Sequence, residues 1–312
     1  MRAAWAGLAI ALATSASCSG RTVILCDSSP KPYHFALPQP VAELAAPFRT
    51  DNPTLTADLR EIFFTTDRVS GNGDVWFATR ADTSVPFGTP QPVAGVNTAG
   101  FETSAAIASD GLTLWFGSDR AGGAGGVDIW VAQRPSRDGT WSTPVNVVAL
   151  SSQADDIPRP PGQHGLVMPM ASARPAPGNL NGEYQTYFAA RPSIGAPFAA
   201  PAAIPELDYA TRSTVDAFLT DDGLTLFFSS APATADAGTQ PGADGGLASS
   251  DLYVAWRRSA GEPFSVTQPL DDLNTAASER DPWLSPDGRT LYFTSDRGGV
   301  LQIYTARVEA RL

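Results

Sequence analysis

Five acidic residues, Glu102, Asp156, Asp216, Glu279 and Asp281, are the side chains in this sequence whose spacing could do chemistry. Aligned on the glycine-bearing turns that follow them, Glu102, Asp156 and Glu279 fall at one level, and Asp216 and Asp281 at another two residues on. If the segments carrying them are strands, two-residue alternation points both levels to the same face, so several carboxylates would crowd one opening. Like charges so placed raise one another's pKa or recruit a cation, calcium being the commonest partner of carboxylate oxygens. The chemistry this predicts is a site for a cation, or for a cationic or sugar-like ligand. Otherwise the same residues form a solvated acidic rim hydrogen-bonded to backbone amides.

The elements that must position these residues are repeats. Arg280 to Arg297 places Asp287-Gly288 between two short apolar runs, which predicts a β-hairpin, and Leu301 to Ala306 follows as a third strand. Ala108 to Arg120 with Asp128 to Ala132, Thr220 to Ser230 with Asp251 to Ala255, and Thr56 to Arg68 with Asp74 to Ala78 repeat it. The gap between Asp110 and Asp222 is about twice the other spacings. A worn copy fills it, with His164-Gly165 at the turn, Val167 to Met170 as second strand and Gln185 to Ala189 as third. Pro169 withholds one ladder hydrogen bond there, which predicts an edge or bulged position.

Each of the first four copies ends in a segment opened by an aromatic residue, Phe87, Trp141, Phe198 or Phe264. The fifth lacks one, but Phe35 to Val41 has the same form and shares Pro-Gln-Pro-Val with the segment after the first copy. The N-terminal segment is therefore expected to complete the last repeat, removing the open sheet edges of the ring. The expected fold is all-β: a five-bladed β-propeller of four-stranded blades over residues 34–312, closed by an N-terminal strand that completes the last blade.

Ser285-Pro-Asp-Gly-Arg-Thr-Leu-Tyr-Phe-Thr-Ser-Asp-Arg297 resembles the WD40-like β-propeller repeat of TolB and of prolyl-oligopeptidase-type propellers, and the resemblance extends over about Phe35 to Leu312. It implies a propeller that binds a partner in the cell envelope and does no chemistry of its own. The second class of reading is a five-bladed-propeller glycoside hydrolase, which uses two facing carboxylates, or a glycan-binding protein.

Composition excludes other classes. Hydrophobic residues make up 43% and charged residues 17% of the 312, which suits a folded chain, and 28 glycines with 27 prolines suit many turns. A net charge of −11 repels phosphate backbones and anionic lipids, so nucleic acid is not an expected partner. One lysine, Lys31, and two histidines, His34 and His164, leave little material for Schiff-base chemistry or histidine-rich metal sites. Neither Gly-x-Ser-x-Gly nor His-Glu-x-x-His occurs, and Gly122 to Gly126 is expected to be a turn rather than a phosphate loop. Ser136 to Trp141 is similar to a sialidase Asp-box but differs from it in spacing, and is expected to be a hairpin turn. Asp67-Arg68, Asp119-Arg120 and Asp296-Arg297 recur at one level, as expected of a structural device that ties strand ends to neighbouring loops.

At the N-terminus, Met1-Arg2 and the apolar run Ala3 to Ala13 predict a secretory signal over residues 1–18, too short to span a membrane, with residues 19–33 as a linker. Small residues before Cys18 resemble a bacterial lipobox, although Ser15 stands where leucine is usual. Lipidation at Cys18 would make the chain a membrane-anchored lipoprotein. Ordinary cleavage would leave Cys18 free to form a disulfide with Cys26 in the periplasm. The loop Ala231 to Ser250 is long and expected to overhang the acidic opening.

Overall fold

The structure, a computed structural model, describes residues 33–69, 71–175, 183–207, 212–232 and 249–309. The expected signal, the linker up to residue 32, the Cys18 lipidation site and the Cys18–Cys26 pair lie outside the described residues. So does the loop Ala231 to Ser250, except at its two ends.

The described strands form five four-stranded antiparallel sheets, as a five-bladed propeller requires. The first strand of the chain, β1 (Gln39–Pro40), belongs to the last sheet. The first sheet runs β2 (Thr50–Leu55), β3 (Glu61–Thr66), β4 (Asp74–Thr79) and β5 (Gln91–Pro92). The second runs β6 (Glu102–Ile107), β7 (Thr113–Ser118), β8 (Asp128–Gln133) and β9 (Val145–Asn146). The third runs β10 (Asp156–Pro158), β11 (Val167–Ser172), β12 (Gln185–Ala190) and β13 (Ala202–Ala203). The fourth runs β14 (Arg212–Leu219), β15 (Thr225–Pro232), β16 (Asp251–Trp256) and β17 (Val266–Pro269). The fifth runs β18 (Glu279–Leu284), β19 (Thr290–Ser295) and β20 (Gln302–Arg307), with β1 outermost. Gln39 pairs with Thr305 and Pro40 with Tyr304, so the N-terminal segment closes the ring as its resemblance to the other outer strands predicts. Proline is tolerated in β1, β5 and β17 because an outermost strand has no neighbour on one side.

Five apolar clusters hold neighbouring sheets together, and strand alternation builds them. Adjacent aromatics on a second strand point to opposite faces, so Phe63 packs with Ile107 and Phe116 of the next sheet, while Phe64 packs with Trp283 and Tyr292 of the previous one. Phe227 and Phe228 divide in the same way. Burying one such ring contributes about 3 kcal/mol, so each second strand bonds its sheet to both neighbours.

Two devices recur around the ring. Arg80, Arg134, Arg191 and Arg257, each just after a third strand, donate Nε to the carbonyl of Leu59, Gly111, Gly165 and Gly223 at 2.7, 2.7, 2.8 and 2.6 Å. The same guanidiniums lie over Phe87, Trp141, Phe198 and Phe264, which clamps the aromatic that opens each outer segment. The turn glycines Gly111, Gly223 and Gly288 have φ of 78°, 69° and 69°, the left-handed conformation that favours glycine, and in the first sheet Leu59 takes it at 60°.

Pro169 differs from expectation. It lies in the interior strand β11, opposite Phe188 on β12, rather than at an edge or bulge. Its carbonyl accepts from Arg159 N at 3.0 Å, so the missing N–H faces β10. The ladder consequently ends at the Pro158–Met170 pair, and β10 is only 3 residues long. Gly122 to Gly126 and Ser136 to Gly139 are turn and bend segments, as expected.

Candidate functional site

The innermost strands do not alternate simply. In four of the five sheets the ladder between first and second strands shifts register at the same place, between Asp51 and Thr54, Thr103 and Ala106, Val215 and Phe218, and Arg280 and Trp283. At each shift one residue turns left-handed: Asn52 (φ 54°), Ser104 (φ 49°), Asp216 (φ 58°) and Asp281 (φ 56°). Short polar side chains, above all Asn and Asp, tolerate that conformation, and a bulge of this kind re-aims a side chain. The matching residue of the third sheet is Pro158, whose ring locks φ negative, so no bulge forms and the next residue, Arg159, points inward instead.

Side chains from all five sheets therefore meet on the axis of the ring. Arg159 Nη1 donates to Asn52 Oδ1 at 2.8 Å and to Asp281 Oδ1 at 3.3 Å, and lies 4.0 Å from Asp216 Oδ1. Ser104 Oγ donates to Asn52 Oδ1 at 2.9 Å, and Asn52 N donates to Asp281 Oδ2 at 3.1 Å. Ser229 Oγ donates to Asp216 Oδ2 at 2.6 Å. Burial, with the nearby charge of Asp281, pushes Asp216 up to about 7 against the opposing pull of Arg159, the Ser229 hydrogen bond and Arg280. Asp51 is raised as well, by burial first, with Arg49 opposing and the charge of Asp281 adding to the rise.

Of the five carboxylates picked out by spacing, the structure brings Asp216 and Asp281 together on the axis and places Glu102, Asp156 and Glu279 elsewhere. Those three are fully buried, each against an arginine: Arg120, Arg174 and Arg297 at 3.0, 2.6 and 3.1 Å. Each arginine also donates Nε to a serine at the end of a second strand, Ser118, Ser172 or Ser295, and Nη2 to a loop carbonyl, that of Val96, Leu150 or Leu273. Two of the recurring Asp-Arg pairs, Asp119-Arg120 and Asp296-Arg297, thus tie strand end, loop and inner strand together, while Arg68 reaches only Thr66 Oγ1 and the Leu44 carbonyl. Asp119 and Asp296 complete the tie by accepting from Phe101 N and Ser278 N, both at 2.8 Å. Burial raises the pKa of Asp156, with Arg174 opposing. The two levels do not share a face because the bulge falls between them.

A cavity of about 70 Å³ opens above the axial network, on the face where the inner strands begin. Arg49, Asp51, Tyr184, Asp216, Arg280 and Asp281 line it. Two guanidiniums, those of Arg49 and Arg280, line it with the three aspartates, and Arg159 lies in the buried network beneath, so this mouth has mixed charge rather than the acidic rim expected. Among the described residues, no group of three or more His, Cys, Asp or Glu is placed to hold a metal ion. The Tyr184 hydroxyl donates to Asp155 Oδ2 at 2.6 Å, and its pKa is raised by burial and by that carboxylate. The opposite mouth, on the face of the Asp-Gly turns, is a cavity of about 320 Å³ with apolar walls from Leu55, Ile107, Phe218 and Trp283.

Sequence reasoning missed Arg49, Asp51, Asn52, Ser104 and Arg159. One signal for Arg159 was present: proline at position 158, where the other repeats carry Asn, Ser or Asp, breaks the pattern just before it.

No family model and no curated protein matches the sequence. Solved structures share its fold. An endo-arabinase from Bacteroides thetaiotaomicron VPI-5482 aligns with a TM-score of 0.54 at 14% identity over 88% of this chain and 98% of that one. A protein of unknown function from Dyadobacter fermentans DSM 18053 aligns at 0.50 and 13% over 89% and 99%. A protein of Agrobacterium tumefaciens provisionally assigned as TolB aligns at 0.46 and 14% over 85% and 78%. At these identities the likeness is one of fold.

Proposed function

We propose that this chain is a non-catalytic binding protein of the cell envelope, exported and anchored through Cys18, which recognises a protein partner or small ligand at the mixed-charge mouth of its channel. The observation that carries this reading is the state of the carboxylates. Asp281 is held by Arg159 and the Asn52 amide, Asp216 by Ser229 with Arg159 close by, and Glu102, Asp156 and Glu279 are each neutralised by an arginine of their own. Such a mouth offers a fixed pattern of charges on a rigid ring, suited to recognition. Capture from detergent-solubilised envelopes by the full chain, beside the Asp216→Asn/Asp281→Asn double variant, tests it. A partner lost in the variant supports the reading, and a partner held equally by both forms moves recognition to another surface.

A glycoside hydrolase is the second reading, favoured by one observation. Asp216, pushed up to about 7, stands close to Asp281, which pairs with an arginine, and a carboxyl raised in this way beside a second carboxylate is what acid-assisted glycoside cleavage uses. Against it, both carboxylates are already engaged by neighbouring side chains, Asp281 by Arg159 and Asp216 by Ser229. Hydrolysis of arabinan or of nitrophenyl glycosides by the native chain, abolished in Asp216→Asn, would establish this reading over the first.

A further inference from the structure

The turn that follows each outer strand is built alike in all five sheets: Leu44, Val96, Leu150, Leu207 and Leu273 each donate N–H to the carbonyl three residues earlier. In three of these turns the residue before the donor is acidic and reaches across to the next sheet, where it accepts from the backbone N–H of the aromatic that opens the outer segment. Glu43 Oε1 accepts from Phe87 N at 3.0 Å, Glu206 Oε1 from Phe264 N at 2.8 Å, and Asp272 Oδ2 from Phe35 N at 3.0 Å. Between the second and third sheets the same place holds Ala149, and Phe198 N has no partner among the described residues. The backbone there is otherwise unchanged, since Ala199 N donates to Ala190 O at 2.8 Å as Gly88 N does to Thr79 O at 2.8 Å. A backbone donor without an acceptor is rare in a folded protein and costs free energy. Arg191, whose guanidinium lies over Phe198, donates Nε to Gly165 O and makes no ion pair among the described residues. Burial lowers the pKa of both Arg257 and Arg191; the charge of Glu206 opposes the fall at Arg257, and no carboxylate opposes it at Arg191. The turn between the first and second sheets also lacks an acid, at Gly95, but Arg134 there already bonds Glu61.

An open groove runs along this junction, lined by Ala149, Arg191 and Phe198 and flanked by Val148 and Ile194, which are 79% and 59% exposed. Asp110 is the one carboxylate lining it, and it accepts from Leu112 N at 2.8 Å. We propose that this groove docks an acidic side chain of a protein partner: a glutamate or aspartate flanked by aliphatic residues sets its carboxylate over Ala149, accepts from Phe198 N, and has Arg191 alongside as its counter-charge. The ring itself specifies this chemistry, because three of its junctions make the same contact with a carboxylate of their own. Those contacts also show that a side chain projecting from the turn reaches the aromatic N–H. The exposed Val148 and Ile194 select a peptide segment over a free organic acid, since aliphatic residues on either side of the carboxylate would cover them. The groove lies beside the outer strands, apart from the mixed-charge mouth, and the proposal does not depend on that mouth.

The test follows the Phe198 amide and Arg191 Nε signals of the full chain by NMR during titration with N-acetyl-Leu-Glu-Leu-amide, with its Leu-Gln-Leu counterpart, and with sodium acetate, all at one ionic strength. A saturable shift of both signals is expected with the Glu peptide. The Gln peptide should bind about tenfold more weakly, having lost the charge from its hydrogen bond, and acetate more weakly than the Glu peptide because it has no aliphatic flanks. Ala149→Glu should supply the carboxylate from within. In that variant the Phe198 amide shifts without ligand, its hydrogen exchange slows, the melting temperature rises by about 2 °C, and the Glu peptide no longer binds. Ala149→Gln, which fills the place without the charge, should fall between. Circular dichroism of each variant checks that it folds, and the comparison of the two peptides on the native chain needs no variant. The proposal is overturned by the absence of a saturable shift with the Glu peptide, by equal binding of the Gln peptide, by acetate binding as tightly as the Glu peptide, or by undiminished peptide binding in a folded Ala149→Glu protein.

Discussion

Replacing Asp216 by asparagine should change how the stability of this protein depends on pH. Asp216 is raised to about 7 by burial and by the charge of Asp281, against Arg159, the Ser229 hydrogen bond and Arg280, whereas an aspartate in an unfolded chain titrates near ~3.9. Between those two values the folded protein holds a proton that the unfolded chain has released, so stability falls as pH rises through the window and levels off above about 7. Integrated from pH 5 to pH 8, the penalty is about 3 kcal/mol. Asparagine preserves the shape and the oxygen that accepts from Ser229 Oγ at 2.6 Å, but it cannot ionise. The attraction of Arg159, 4.0 Å from Asp216, acts only on the ionised carboxylate and is already contained in the folded-state value of about 7, so it adds no separate contribution. Asp51, also raised, gives both proteins a residual slope of the same sign. Melting temperatures of native chain and variant at pH 5 and pH 8 should therefore diverge: the variant gains about 5 °C on the native chain over that interval, at roughly 2 °C per kcal/mol for a domain of this size. Parallel curves, or a native chain that gains on the variant as pH rises, would refute the account of the axial network.

Arg120→Ala leaves Glu102 fully buried without its cation and removes the stacking on Phe116 and Trp130, so urea unfolding should show a loss of about 3–5 kcal/mol. Arg137→Ala, which breaks a half-exposed pair with Asp58, should cost less than about 1 kcal/mol in the same assay. Gly288→Ala adds a methyl group into open space at φ +69°, so the backbone conformation alone sets the cost, about 1–2 kcal/mol, visible as a melting point lower by a few degrees. Trp283→Ala empties a site 4% exposed, packed edge-on against Tyr292, and should lose about 3–5 kcal/mol.

What repeats in this chain was legible without coordinates. Asp110-Gly111, Asp222-Gly223 and Asp287-Gly288 announce hairpins because a glycine is the residue least penalised at positive φ. Paired aromatics such as Phe63-Phe64 state that both faces of a second strand are buried, and the match of Phe35 to Val41 with later segments foretells the closing strand. These are local properties, written into each blade separately. The axis is a property of the ring, and only the tertiary structure decided it. Glu102 and Ser104 sit two residues apart on one strand, yet one is sealed against Arg120 and the other reaches Asn52 of the neighbouring sheet, because the ladder slips between Thr103 and Ala106. Arg159 reaches the aspartates only because Pro158 refuses the bulge its counterparts adopt. Alternation is a rule for a regular strand. A bulge, set by pairing with a neighbour and by the crowding of five strands around one axis, overrides it.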